Sequence, residues 1–204
     1  MAFRASLRRA VCTWRWPRYQ THLFGRIPEV VPPSTSGLRL FVGLWLGEDT
    51  RRALVSHQLE WSWPPGARLM EPESLHVTLH FIGAFPSERL PELDLGLATA
   101  NAPRFNLEFG EPDVWPGGIA VLHVRPNAAL TELHRLVGIQ LRQLGIELDA
   151  RPYAPHVTLA RRASGATTPS QVVGAIEQVD SMVLAESVSS PTPHYDHLRT
   201  YGLT

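Results

Sequence analysis

The chain has 204 residues, of which 44% are apolar, so it can bury one core and fold as one domain, or as one domain of two lobes. Its 19 basic and 19 acidic residues balance, which argues against holding nucleic acid through a general cationic field. Every one of the basic residues is arginine, which excludes a lysine Schiff base and a Walker-type phosphate lysine. The single cysteine, Cys12, excludes an internal disulfide and a CxxC site.

Residues 1–37 differ in composition from the rest of the chain. They are rich in arginine and contain no acid before Glu29. This composition is typical of a mitochondrial transit peptide, but a disordered extension or an upstream start codon would look the same. We treat residues 1–37 as a disordered or mis-started extension. No run of about 18 apolar residues predicts a membrane span, and we expect a cytoplasmic location.

The folded part is predicted to comprise residues 38–204. Residues 38–46 form a run of branched and aromatic side chains that predicts a buried strand. A helix is predicted to open at Gly47, with acids in its first turn, and to continue to about Trp61. Residues 74–83 alternate between apolar and polar side chains, which predicts a second strand.

The middle of the chain continues with mixed elements. Residues 88–100 are predicted as a helix, and residues 104–109 and 119–124 are predicted as strands. Residues 128–144 give the clearest helical pattern, which Gly145 ends.

The last part of the chain is mostly strand. Strands are predicted at residues 155–160, 182–188 and 195–203, whereas residues 172–179 fit a helix or a strand. This order of elements predicts an α+β fold.

One tetrapeptide, HVTL, occurs twice, at residues 76–79 and 156–159, each time on a predicted strand after a strand–helix unit. The repeat predicts two related lobes. Since alternate side chains of a strand share a face, each copy presents a histidine and a threonine above an apolar backing. Two imidazoles and two hydroxyls would then converge on one cleft.

These four side chains suit phosphoryl chemistry without a metal. A histidine titrates near neutral pH, so one imidazole can take a proton from water while the other gives a proton to the departing oxygen. Threonine hydroxyls can donate hydrogen bonds to the phosphate oxygens. We therefore predict His76 and His156 as catalytic residues and Thr78 and Thr158 as phosphate-binding residues, with no metal and no cofactor.

The chain resembles the two-histidine (2H) phosphoesterase superfamily, in its RNA 2′,3′-cyclic phosphodiesterase (2′-5′ RNA ligase-like) branch. The segments that carry the resemblance are RLFVGLWL, LHVTLHFIG, LRQLGIEL, RPYAPHVTLARR and AESVSSPTPHYDHLRTYGL, and they run through nearly all of residues 38–203. The resemblance implies two pseudo-symmetric lobes, each an antiparallel-rich sheet with helices, whose HxTx strands face a central cleft.

The resemblance also implies roles. His76 would be the proton donor to the leaving 3′ oxygen, and His156 the proton acceptor from water, giving a 2′-phosphate end.

Arg161 matches the family's phosphate-binding arginine. His156 and Arg161 are an odd number of residues apart, so an unbroken strand would point them to opposite faces. A bulge in the strand would resolve this conflict, as would an Arg161 side chain that wraps round the strand end. Alternatively, Arg162 would bind the phosphate in place of Arg161.

Three further residues are predicted as possible substrate contacts. His80 has the same parity as His76 and Thr78, so it would line the rim of the cleft, or else be a partly exposed strand residue. Tyr153 and Trp115 could stack on a terminal base, or pack at the edge of a lobe.

The sequence predicts an RNA 2′,3′-cyclic phosphodiesterase, a hydrolase that acts as a monomer on RNA 3′ ends or short oligonucleotides, with no membrane partner. Three alternatives stay open. The substrate could be a 2′-5′ linked oligonucleotide or a small nucleotide cyclic phosphate. The chain could bind RNA ends without catalysis. His76 and His156 could be zinc ligands, although two ligands would leave such a site underfilled.

Overall fold

The computed structural model describes residues 37–189, 191 and 193–204 of the chain. The first strand begins at Leu38. The predicted N-terminal extension lies outside the described residues, apart from Gly37. No helix in the described ranges is long and apolar enough to cross a membrane.

Three α-helices and nine strands make up the described part of the chain. The helices are α1 (Glu48–Leu59), α2 (Leu90–Ala98) and α3 (Ala128–Gln143). The strands are β1 (Leu38–Trp45), β2 (Arg68–Leu69), β3 (His76–Phe85), β4 (Phe105–Trp115), β5 (Ile119–Val124), β6 (His156–Arg161), β7 (Ile176–Val179), β8 (Ser181–Val188) and β9 (His194–Gly202). Short 3₁₀ turns at Pro72–Ser74 and Ser87–Arg89 precede β3 and α2.

All nine strands described here form one antiparallel sheet in the order β7-β4-β5-β6-β3-β1-β8-β9, with β2 paired to β6. The order is symmetric about its centre. Each half contains a strand–helix–strand unit, β1-α1-β3 or β5-α3-β6, and the two halves meet where β3 lies beside β6. The predicted α+β fold is confirmed, and its two lobes share one continuous sheet.

The helices cover one face of this sheet through apolar stripes. Along α3 the buried positions include Leu130, Leu133, Val137 and Leu141, which recur at helical spacing. The side chain of Asn127 accepts a hydrogen bond from the backbone N–H of Leu130 at 3.0 Å and so caps the start of this helix.

Two of the β-bulges in the central strands lie at the HVTL motifs and break their alternation. In the β1–β3 pair, Val42 lies opposite His80 while Gly43 lies opposite Thr78, so Leu79 is an extra residue. The β5–β6 pair has the same irregularity at Leu159. Each bulge follows the histidine and threonine of an HVTL motif, and each reverses the face to which the following side chains point.

The predicted elements differ from the structure mainly at their ends. The ambiguous segment, residues 172–179, forms strand β7 only at Ile176–Val179. Strand β4 continues to Trp115, well beyond its predicted end, because it pairs with β5 along its second half. The two-residue strand β2 has no periodicity of its own and was not predicted.

Candidate active site

The two HVTL motifs occupy the centre of the sheet. Val77 of β3 pairs with Val157 of β6, and both side chains are fully buried in the core beneath. Because side chains alternate along a strand, the neighbours of these valines point to the other face. His76, Thr78, His156 and Thr158 are all half-buried there. The predicted convergence of two imidazoles and two hydroxyls is present in the structure.

Both imidazoles are held in the same way. His76 donates a hydrogen bond from Nδ1 to the carbonyl of Ser74 at 2.7 Å, and His156 donates one from Nδ1 to the carbonyl of Ala154 at 2.7 Å. A carbonyl can only accept, so each neutral ring carries its proton on Nδ1 and has a lone pair on Nε2. No described residue hydrogen-bonds either Nε2 atom, which leaves both nitrogens available for proton transfer.

The two imidazoles are neutral in the free protein at neutral pH. The pKa of His76 is lowered to about 4, mainly by burial. The charges of His156, Arg161 and His197 also lower it, and the hydrogen bond to Ser74 opposes them. The pKa of His156 is also lowered, first by burial and then by the charges of His123 and Arg161. The field of Arg161 therefore acts on both rings.

Arg161 lies on the same face as the histidines because of the bulge at Leu159. Thr158 lies opposite Val121, whereas Ala160 lies opposite Ala120, so one residue of β6 is left over between the two pairs. The conflict between strand parity and family resemblance is thus resolved by a bulge. Arg162, the alternative, follows β6 with a left-handed φ of 55° and an exposed side chain.

A buried glutamine supports this bulge. The side-chain amide of Gln58, on α1, donates hydrogen bonds to the carbonyl of Leu159 at 2.8 Å and to the carbonyl of Met70 at 3.2 Å. The backbone N–H of Met70 also donates to the Leu159 carbonyl, at 2.8 Å. The unpaired backbone of the bulge is therefore satisfied from outside the sheet. Sequence reasoning missed Gln58 because its partners are distant in the chain.

Aromatic side chains form a wall around His76. The ring of Trp45, which lies opposite His76 in the β1–β3 pair, stacks on the imidazole at 4.8 Å and 15°. Phe41 and Tyr195 lie 5.1 Å and 5.0 Å from the same ring. None of these three was predicted as a site residue. The aromatic composition of residues 41–45 was the available signal, but it also fits a buried core strand.

A different group surrounds His156. Trp115 lies 4.3 Å from its ring, so this predicted contact is at the site. His123 lies opposite His156 in the β5–β6 pair, and its Nε2 is 3.5 Å from a carboxylate oxygen of Asp113. Sequence reasoning assigned no role to His123. Within the described ranges, no three His, Cys, Asp or Glu side chains are grouped so as to hold a metal ion.

A cavity of about 260 Å³ is lined by His156 and Thr78, whereas His76 is not among its lining residues. Its walls include Phe81, which is 68% exposed, and Trp115. The segment that leads into β6, residues 149–154, forms the opposite wall. The cavity therefore offers aromatic surface directly beside His156.

The expectation that His80 shares the face of His76 is wrong, because the bulge at Leu79 turns His80 toward α3. His80 is buried, and its Nε2 donates a hydrogen bond to the carbonyl of His134 at 2.8 Å. His80 is nevertheless one of the residues that line the cavity. The prediction of a partly exposed strand residue is wrong for the same reason.

Tyr153 lines the cavity, but one face of its ring is packed against another side chain. Its ring stacks on His134 at 3.8 Å and 12°, and His134 stacks in turn on His80 at 4.0 Å. The hydroxyl of Tyr153 donates to the carbonyl of Thr78 at 3.1 Å. This stack fixes the segment that precedes His156 to β3 and α3. His134 is part of the stack, and sequence reasoning assigned it no role.

A family model described as the 2′-5′ RNA ligase superfamily matches residues 64–186, which include both HVTL motifs. The RNA 2′,3′-cyclic phosphodiesterase of Thermus thermophilus is 32% identical over 186 residues, covering 81% of this chain and 90% of that protein. The protein of the same name from Geobacillus stearothermophilus is 31% identical over 150 residues, or 64% of this chain. This chain spans 46% of that protein's length.

Solved structures agree with these sequence matches. The crystal structure of Escherichia coli LigT in its apo form aligns with a TM-score of 0.75 and 27% identity, covering 83% of this chain and 99% of LigT. LigT in complex with 3′-AMP aligns with a TM-score of 0.74 and 26% identity, covering 82% of this chain and 99% of LigT. With its paired HVTL strands and these matches, the chain belongs to the 2′-5′ RNA ligase superfamily.

Proposed function

We propose that this chain is an RNA 2′,3′-cyclic phosphodiesterase that hydrolyses a terminal cyclic phosphate to a 2′-phosphomonoester by acid–base catalysis. One observation carries the proposal: the imidazoles of His76 and His156 lie on neighbouring strands with their Nε2 atoms available on the same face. The names of the relatives from Thermus and Geobacillus support the same reaction, and the LigT complex with 3′-AMP supports a nucleotide at such a site.

In the proposed reaction His156 acts as the base and His76 as the acid. Nε2 of His156 takes a proton from water while the water oxygen forms a bond to phosphorus. The bond between phosphorus and the 3′ oxygen breaks, and that oxygen takes a proton from Nε2 of His76. The 2′ oxygen keeps the phosphate. Afterwards His156 is charged and His76 is neutral, so proton exchange with water resets the pair. The division of roles follows the family resemblance.

Three other groups bind the phosphate in this proposal. Thr78 and Thr158 share the face of the histidines, and their hydroxyls can donate to the non-bridging oxygens, where charge concentrates in the transition state. The guanidinium of Arg161 supplies the positive charge, which is consistent with its effect on the pKa of both imidazoles. These donors are fixed on strands, so they need little reorganisation during the reaction.

The proposal is tested with an RNA oligonucleotide that ends in a 2′,3′-cyclic phosphate. We expect the wild-type protein to produce a 2′-phosphate end, in chelator as well as without it. His76→Ala and His156→Ala should each lower turnover by about 10²- to 10⁴-fold, since each removes one proton-transfer group. The histidine control is His57→Gln, because His57 lies on α1 and does not line the cavity beside His156.

The outcomes separate catalysis from binding. Absence of any 2′-phosphate product from the wild-type protein would refute the proposed reaction. If both histidine variants bind the cyclic-phosphate end and turn it over as fast as the His57→Gln control, the acid–base pair is refuted. If the wild-type protein binds these ends but never hydrolyses them, the chain is an RNA-end-binding module.

A further inference from the structure

A second arginine lies directly beside Arg161. In the antiparallel pair of β2 and β6, Arg68 is the register partner of Arg161. Side chains that are directly opposite in such a pair point to the same face, with Cβ atoms about 4.5–5.5 Å apart. Since Arg161 points to the face of the histidines, Arg68 does so as well. The two arginines form a basic pair at the end of the cleft nearest Arg161.

This register is fixed by buried contacts. Strand β2 is only two residues long, and it is held to β6 by the hydrogen bond from Met70 N–H to the carbonyl of Leu159. Gln58, which is 3% exposed, also links Met70 and Leu159, because its side-chain amide donates hydrogen bonds to both of their carbonyls. Like charges directly opposite each other in a sheet are destabilising. The fold therefore places two arginines on adjacent positions of one face, and a bound anion would offset the repulsion between their charges.

No described carboxylate neutralises this pair. Neither Arg68 nor Arg161 takes part in an ion pair with the described residues, although Glu71 and Glu73 are close to Arg68 in the chain. Six other arginines are paired with an acid: Arg52 with Asp49, Arg89 with Glu92, Arg125 with Glu108, Arg135 with Glu132, Arg151 with Asp149 and Arg199 with Asp94. The basic pair is thus available to an anionic ligand.

The two arginines differ in their relation to the histidines. The charge of Arg161 acts on both His76 and His156, whereas Arg68 is not among the charges that shift the pKa of either imidazole. Arg161 lies on β6, the strand of His156, whereas Arg68 lies on the neighbouring strand β2, so Arg68 is the farther of the two from His156. An anion held by Arg68 would therefore be a second phosphate of the ligand and not the reacting one.

We propose that Arg68 forms a second phosphate subsite, which takes the phosphate on the 5′ side of the terminal nucleotide. This inference rests on the proposed function, in which Arg161 holds the reacting phosphate. It deepens that function, because it makes an RNA end with two adjacent phosphates the preferred ligand over a mononucleotide. The ligand group is either an internal phosphodiester or a 5′-phosphomonoester.

Binding of reaction products tests the subsite without requiring catalysis. Three ligands are titrated: a nucleoside 2′-phosphate, the same nucleoside with an added 5′-phosphate, and a dinucleotide that ends in a 2′-phosphate. The wild-type protein should bind the last two about tenfold more tightly than the first, which is the effect of one charge-assisted hydrogen-bonded contact. Tighter binding of both ligands means that the subsite accepts a phosphodiester and a 5′-phosphomonoester alike. Tighter binding of only one of them shows which of these two groups the subsite takes.

The variants are Arg68→Gln and, as the matched control, Arg135→Gln, which removes an arginine from the exposed face of α3. We expect Arg68→Gln to abolish the gain in affinity that the second phosphate provides, and Arg135→Gln to keep it. The salt dependence of dinucleotide binding should also weaken in Arg68→Gln alone, by about 0.7 in the log–log slope.

The inference is overturned if Arg68→Gln keeps the full gain from the second phosphate. It is also overturned if Arg68→Gln weakens all three ligands equally, since Arg68 would then contact the reacting phosphate. The proposed function fails separately, if the wild-type protein does not hydrolyse a cyclic phosphate.

Discussion

The two histidines at the centre of the sheet are prepared for proton transfer by their surroundings. Each ring is fixed at Nδ1 by the carbonyl two residues earlier, and each is half-buried. Burial and the charge of Arg161 keep both rings neutral until an anion enters. A bound phosphate reverses this balance, because a negative charge close to an imidazole favours its protonated form. In the proposed reaction, the substrate would thus help to create the acid.

This arrangement predicts an acidic optimum for kcat/KM. The active form carries one proton on the histidine pair, so activity falls as pH drops through the lower pKa of the pair and as pH rises through the upper one. Both pKa values are lowered from 6.5, so both limbs of the kcat/KM profile should lie below pH 6.5. The alkaline limb of kcat should lie at higher pH, since kcat reports the phosphate-bound state.

Rate measurements from pH 4 to 9 check this expectation, with Arg161→Gln as the comparison. Removing the guanidinium should move both limbs of kcat/KM to higher pH, because its charge lowers both pKa values. A kcat/KM profile that is flat between pH 5 and 9 would contradict an acid–base pair.

The bulges of β3 and β6 show how strand irregularity builds the site. The bulge at Leu79 turns His80 away from the cleft and into a stack with His134 and Tyr153. The bulge at Leu159 turns Arg161 into the cleft. The same irregularity thus serves a packing role in one half of the sheet and a proposed phosphate-binding role in the other.

Gln58 should be a positioning residue for Arg161. Replacing it with leucine keeps the volume but removes both donated hydrogen bonds, so we expect a loss of about 1–3 kcal/mol in the free energy of unfolding. We also expect KM for a cyclic-phosphate RNA to rise more than kcat falls, because the bulge that directs Arg161 is weakened. Gln143→Leu, at an exposed position of α3, is the matched control. An unchanged KM in Gln58→Leu would count against this role.

Two glycines in helices, Gly138 and Gly96, can be compared to test how tightly His80 packs on α3. A Cβ at Gly138 would lie 3.1 Å from Nε2 of His80, a ring fixed by its hydrogen bond to α3. A Cβ at Gly96 would meet only the end of the flexible Leu144 side chain, at 3.3 Å. We expect Gly138→Ala to destabilise the protein by about 1–2 kcal/mol and Gly96→Ala to be neutral or stabilising. Denaturant unfolding of both variants checks this, and equal effects would contradict it.

At the scale of the whole molecule, positive and negative charges balance. An RNA ligand would therefore be held at a few positions and not along an extended basic surface. The net charge is zero, and many arginines of the described residues are paired with acids. A long cationic groove that follows an RNA strand would need an excess of basic residues on one surface. The available positive charge near the histidines is instead the basic pair of Arg68 and Arg161.

Substrate length should therefore matter little beyond the first two phosphates. We expect KM for a cyclic-phosphate RNA of about 20 nucleotides to be within about threefold of that for a dinucleotide, with a log–log salt slope near −1.4 for two contacted phosphates. Steady-state rates over a range of salt concentrations measure both quantities. A slope several times steeper for the long RNA would indicate an extended binding surface instead.

The sequence by itself determined the α+β class, the doubled motif and most of the element order, except β2 and the ambiguous residues 172–179, because these features depend on local periodicity and on residue chemistry. It also predicted that His76, His156, Thr78 and Thr158 share one face, since two identical HVTL segments present the same side chains. Tertiary structure alone decided the faces of His80 and Arg161. The alternation rule assumes an unbroken strand, and the bulge at Leu159 is held by Gln58, which is 101 residues away in the chain. Contacts across that distance also place Arg68 beside Arg161, and no local pattern in the sequence encodes them.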